Sequence, residues 1–266
     1  MSGMTSGTGS VCGWVALDSI RLDTLAEGLV VTDVTEAPSL AAETEPRAGL
    51  DGLWLTRLRR EKLTVRVGFR VRQVNRKRRA QALSLAADWA RGGLLTWSDR
   101  PGQRLTVRCT AWPAWSALRW NESLWAEFTA FGIPWWESET PDTLALSHTG
   151  GETAGTLAVS GQAETEVDAR LTAGAGGLDT VTLTVGGDRV TFTGLGMAAG
   201  EALVFGADAA GRRGWRIEGA DGSARSAFSC RSAGSADSLR SAPGSATVRL
   251  RGDACEALLT ARGLFL

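Results

Sequence analysis

Between residues 62 and 72 the chain alternates strictly. Leu63, Val65, Val67, Phe69 and Val71 fall on one face, and Lys62, Thr64, Arg66, Arg70 and Arg72 on the other, which predicts a half-buried strand. The period then changes. Across residues 76–91, Ala80, Leu83, Ala86, Ala87 and Ala90 recur at helical spacing, and Gly92 and Gly93 supply a C-terminal stop, so a helix is expected there. Residues 94–98 and 104–110 read as strands flanking a turn at Asp99, Arg100, Pro101 and Gly102, where Pro fixes φ and Gly accepts a positive φ. Upstream, 14–22, 28–34 and 54–58 are strand-like, with an acidic, Pro-flanked loop expected from Glu36 to Gly52. Residues 116–120 and 123–131 give a final pair of strands. The first half thus reads as α+β: an antiparallel β-sandwich with one helix.

The second half has almost no helical periodicity. Short alternating or β-branched runs recur at 156–160, 165–171, 180–185, 189–193, 202–205, 215–218, 246–251 and 256–261, separated by Gly-rich turns. Residues 180–185 and 189–193 around Gly186, Gly187 and Asp188 form a good hairpin signal. Many short strands at such spacing indicate a second β-sandwich, and the fold class is mainly β. Composition changes at the same place as pattern: ten of the 11 Trp precede residue 137, and 21 of the 33 Gly follow residue 140. The polar stretch from Glu137 to Pro141 reads as a linker, giving domains at 1–139 and 140–266.

The net charge of zero conceals segregation. Residues 1–56 carry two basic and eight acidic side chains, residues 57–119 carry 16 and three, and residues 120–266 carry 11 and 18. The basic block holds Arg57, Arg59, Arg60, Lys62, Arg66, Arg70, Arg72, Arg76, Lys77, Arg78 and Arg79. Its four last members open the helix, where the macrodipole disfavours cations by about 0.3–1 kcal/mol each. That cost calls for an offsetting acidic surface. Pairing with an acidic partner or subunit ranks first, a solvated face of an Arg-rich protein second, and direct nucleic-acid binding third. The six tryptophans from Trp112 to Trp136 read as core and interface anchors rather than a stacking platform.

Catalytic chemistry is thinly supplied. The single histidine, His148, is expected in a polar loop, and no Ser or Cys nucleophile has a plausible base. Cys12, Cys109, Cys230 and Cys255 are widely spaced, without a CxxC pair, and read as reduced core thiols rather than disulfide or zinc ligands. Gly174 to Gly177 and Gly194 to Gly196 lack the strand–loop–helix frame of a phosphate site and read as turns. No catalytic site, cofactor or metal is expected. No apolar run is long enough to span a membrane, the N-terminus lacks a signal-peptide pattern, and folding in a cytoplasm is expected.

Three stretches in this order resemble the distal tail proteins of siphovirus-like bacteriophages. The first is the strand at 63–71, the helix at 76–91 and the hairpin ending at Gly102. The second is the run from Trp125 to Trp136, closing on Pro134, Trp135 and Trp136. The third begins at Gly200 to Phe205, continues through Leu239 to Leu250 with its Pro243-Gly244 step, and ends at Arg262 to Leu266. Ser245 and Phe265 stand where the family often has Asn and Trp. The resemblance implies a virion protein, found in the host cytoplasm during assembly, that forms a homo-hexameric ring at the tail tip. That ring would join the tail tube protein to hub, baseplate or receptor-binding proteins, with DNA only passing through its lumen. It also implies a galectin-like second sandwich. The galectin sugar motif needs His, Asn and Arg on adjacent strands, and no His is expected in a C-terminal strand, so carbohydrate binding does not carry over. A head-to-tail ring needs two unlike complementary patches. The candidate subunit or partner interface is therefore Arg66, Arg70, Arg72, Arg76, Arg78, Arg79, Trp135 and Trp136. The alternative is a non-catalytic carbohydrate- or cell-surface-binding module.

Overall fold

The alternation at Leu63 is realised in full: Leu63, Val65, Val67, Phe69 and Val71 are all buried, and Lys62, Arg66 and Arg72 are exposed. They belong to a far longer strand. The computed structural model describes residues 13–46, 53–208 and 211–266, and the chain divides into two units, Met1–Trp136 and Glu137–Leu266.

Unit 1 contains β1 (Val15–Leu17), β2 (Ile20–Arg21), β3 (Leu29–Pro46), β4 (Leu53–Val71), α1 (Arg76–Trp89), β5 (Gly92–Trp97), β6 (Gln103–Ala111) and β7 (Leu124–Ala130). The strands hydrogen-bond in the antiparallel order β2-β1-β5-β6-β7-β4-β3. Asp18 and Ser19, both at positive φ, turn β1 tightly into β2. Helix α1 buries Ala82, Leu83 and Ala86, Trp89 meets Phe128 edge-on at 5.8 Å, and its indole Nε1 donates to the Ile20 carbonyl at 2.7 Å. The helix ends at Trp89 with Ala90 as its C-cap, and Gly92 opens β5 at a φ of +108°, where a Cβ would lie 2.7 Å from the Val107 carbonyl oxygen.

Two expectations for this unit are corrected. The acidic loop from Glu36 is strand: β3 runs on to Pro46 against β4, which is one 19-residue strand rather than two. Hydrophobic alternation fails along this stretch because neither face meets a core. Leu40 and Leu55 are each 56% exposed. Pro38 is tolerated because β3 is an edge strand and needs no outward N–H donor. Residues 116–120 are irregular rather than a strand. The buried Arg79 guanidinium holds that segment by donating from Nε to the Ala117 carbonyl at 2.8 Å, and Leu118 and Trp120 stay exposed.

After β8 (Trp136–Ser138), unit 2 contains β9 (Asp142–His148), β10 (Gly151–Val159), β11 (Thr165–Ala173), β12 (Val181–Val185), β13 (Asp188–Phe192), β14 (Ala202–Ala207), β15 (Arg213–Glu218), β16 (Ala224–Ser226), β17 (Arg240–Ser241), β18 (Gly244–Gly252), β19 (Cys255–Ala261) and β20 (Leu264–Phe265). One sheet has the order β10-β18-β12-β13, the other β16-β15-β14-β11-β19-β9 with β17 on β11. This is a galectin-like β-sandwich. Its core interleaves Leu183, Phe192, Val248 and Leu250 with Leu171, Leu203, Phe205 and Leu259. Each such side chain contributes about 1.5–3 kcal/mol through burial. Trp215 closes the layer, 5.0 Å from both Phe192 and Phe205.

His148 is also relocated. It ends strand β9, 2% exposed, and not a polar loop. Its Nδ1 lies 2.8 Å from Thr153 Oγ1 and its Nε2 3.2 Å from the Gly252 carbonyl. A histidine does therefore sit in a C-terminal strand, but its ring is buried and both nitrogens are engaged.

Candidate interaction surfaces

The basic block is divided among three environments. On β4, Arg66 projects from the solvent face, pairs with Glu127 at 3.0 Å and lies over the Trp125 ring at 5.4 Å. Arg70 donates from Nε to Ser123 Oγ at 2.8 Å, and Arg72 is exposed two residues on. At the helix start, Asn75 caps the first turn: its Oδ1 accepts from the Lys77 and Arg78 backbone N–H groups at 2.9 and 3.2 Å. Arg78 reaches Glu27 at 3.3 Å. Arg76 and Lys77 have no acidic partner among the described residues. Arg79 is different in kind. It is 6% exposed and satisfies the Gln73, Val74 and Ala117 carbonyls, so it organises the fold from inside.

The offsetting acidic surface called for by the helix start is thus partly intramolecular, supplied by Glu27. The same holds on β4, where Glu127 and, at 3.9 Å from Arg59, Glu43 stand opposite the arginines. These pairs are exposed, and worth at most about 1 kcal/mol each.

The two tryptophans also part company. Trp135 is half-buried and stacks under the Arg60 guanidinium at 4.1 Å. Trp136 is fully buried. Its Nε1 donates to Glu36 Oε2 at 3.1 Å, and Glu36 accepts a bidentate pair from Arg100 Nε and Nη2 at 3.0 and 2.9 Å. Trp97 lies 6.5 Å from the Trp136 ring. This cluster locks the root of the β3–β4 ribbon, and with Arg79 it leaves the candidate outer surface.

What remains outside is the distal β3–β4 ribbon, with Leu40, Leu55, Arg57 and Arg59 exposed, together with the β4 arginines and the Val74, Leu118 and Trp120 patch near the helix start. Residues 54–58 of the ribbon are strand-like in the sequence, whereas its β3 side beyond Glu36 reads as a loop because it carries no hydrophobic alternation. The available signal was the acid-rich stretch before residue 46 facing the base-rich stretch after residue 56.

Among the described residues no three His, Cys, Asp or Glu side chains come together to hold a metal. Cys109, Cys230 and Cys255 are free, with the Cys255 thiol pushed up to about 11 by burial; Cys12 lies outside the described residues. The lowered Glu218 carboxyl reflects its bond from Arg170, reinforced by Arg216, and belongs to an ion-pair network on the outer face of the larger sheet.

No protein-family model matches the chain, and no curated protein matches it. Solved structures do. The Dit protein (gp 19.1) of phage SPP1, described as a paradigm of the hub adsorption apparatus in phages infecting Gram-positive bacteria, superposes with a TM-score of 0.71 at 13% identity, covering 96% of this chain and 99% of that one. A chain of the phage p2 baseplate in its activated conformation, with strontium and again with calcium, gives a TM-score of 0.51 at 6% identity over 94% of this chain and 97% of that one. Across nearly its whole length, the chain is similar in fold to a phage hub protein.

Proposed function

We propose that the protein is a structural component of a phage tail tip. Six copies form a ring that connects the tail tube to the tip or baseplate apparatus and lets DNA pass, and the chain performs no catalysis. The observation that carries this reading is the full-length fold similarity to SPP1 Dit, which takes in both units and nearly all of that chain. The distal β3–β4 ribbon supports it. A two-stranded ribbon without a hydrophobic face is marginal alone in water, and gains when a third strand or a neighbouring surface covers it. A ribbon that is acidic along one strand and basic along the other suits the unlike patches of a head-to-tail ring.

The test is light-scattering mass with negative-stain electron microscopy on the purified protein. A hexamer with a central opening is expected, weakened by the charge reversal R66E/R70E/R72E, and by a smaller factor at high salt, where the exposed charges are screened. A chain that stays monomeric at high concentration, alone and with the tail tube protein of its phage, overturns the reading.

A further inference from the structure

The outer face of sheet β10-β18-β12-β13 carries a trough of about 430 Å³ whose lining includes Thr182, Thr184, Arg189, Thr247, Arg249 and Arg251. Register builds it. Thr184 pairs directly with Arg189 on β13 and with Arg249 on β18, so two arginine stems flank one hydroxyl, about 10 Å apart across three strands. One row along, Thr182 lies between Thr191 and Arg251, and the two threonine hydroxyls meet at 3.1 Å. Arg251 is held by Glu152 at 2.6 Å. Arg189 and Arg249 have no carboxylate partner among the described residues. On the opposite sheet the contrast is plain: Arg170, Arg213 and Arg216 are each paired with acids.

A second concavity of about 320 Å³, lined by Thr191 and Ser232 to Ser235, shares Arg189 with the first. One unpaired cation therefore stands between two adjoining hollows, which suits a chain of repeating units better than a single small molecule. Among the described residues no aromatic side chain lines either hollow. Single-stranded nucleic acid is gripped by stacking on aromatic rings, and uncharged ligands usually need apolar or aromatic walls. This lining offers neither. It offers guanidinium forks, which match phosphate and carboxylate oxygens, and a comb of hydroxyls.

We propose that this face is a binding site for an anionic glycan or polyol chain. Its phosphate or carboxylate groups lie between Arg189 and Arg249, and its hydroxyls bond the threonines. The inference uses unit 2 alone and is separate from ring formation.

Calorimetric titration of the full chain with four probes tests it: a glycerol-phosphate oligomer, a galacturonate oligomer, maltohexaose and a short DNA duplex. Binding of one anionic oligomer and none of maltohexaose is expected, and the oligomer that binds tells phosphate from carboxylate. The variant R189Q/R249Q lowers that affinity about tenfold or more. Both side chains are exposed and outside any ion pair among the described residues, so an unchanged melting temperature verifies folding. T184V, which keeps both charges and removes the central hydroxyl, weakens binding by a smaller factor. The proposal is overturned if neither oligomer binds, if R189Q/R249Q binds as tightly as the parent, or if DNA binds as well and is lost in the same variant.

Discussion

The distal β3–β4 ribbon and the unit 2 sandwich are both antiparallel β-structure, yet only the sandwich has an inside. In β12 and β13, Val181, Leu183, Val185, Val190 and Phe192 are buried in alternation. In β3 beyond Pro38 and β4 before Lys62, no described residue is buried. The sandwich strands are specified by a core, so their register cannot slip without turning apolar residues to water. The ribbon is held by backbone hydrogen bonds and cross-strand polar pairs, with register shifts at Ser39/Leu40 and Glu43/Thr44. The difference teaches that length of pairing and strength of specification are separate properties of a strand. One is set by the partner strand, the other by what lies behind it.

That contrast can be broken at three points. The largest effect is expected from Phe192→Ala, which removes a ring that packs on Trp215 and is 1% exposed. A loss of about 3–5 kcal/mol should appear in chemical denaturation of the chain. Next is Glu36→Ala at the ribbon's root. It leaves the Arg100 guanidinium and the Trp136 indole N–H without their shared acceptor, and should cost about 2 kcal/mol. A change below about 0.5 kcal/mol would show that the root is held by packing alone. The smallest effect belongs to L40D/L55D on the ribbon: about 0.5 kcal/mol or less in monomer stability, because both side chains already face solvent. The same variant should nonetheless abolish the ring measured by light scattering. Equal losses in stability from F192A and L40D/L55D would erase the distinction drawn between the two regions.

How much was legible follows the same line. Strand 63–71, the helix beginning at Arg76 and the Gly186-Gly187 hairpin were readable because each buries one periodic face. The ribbon was legible only at 54–58; its β3 side beyond Glu36 has no buried face and so leaves no period to detect. Strand β9 did carry a signal, Leu144, Leu146 and His148 in alternation, and was overlooked because a histidine beside Gly150 and Gly151 looks like a turn. The sequence places Arg79 in the candidate interface as part of the basic helix start, and Trp136 as one of a run of core and interface anchors. Only tertiary geometry reveals that a carbonyl cluster awaits one and Glu36 the other. Arg189 and Arg249 lie 60 positions apart in the chain, and nothing short of strand register places them across Thr184.

The fastening of unit 2 has a mechanical consequence. Ser138 N–H donates to the Gly263 carbonyl at 2.8 Å, Gly263 N–H donates to Ser138 Oγ at 2.9 Å, and Arg262 Nη1 reaches the Ser138 and Glu139 carbonyls at 2.8 and 2.6 Å. A second fastening adjoins it: Gln162 N–H donates to the Leu264 carbonyl at 2.7 Å, and Leu266 N–H donates to Gln162 Oε1 at 3.0 Å. Tension applied between Glu137 and Leu266 therefore loads the Gln162 bonds together with those at Ser138.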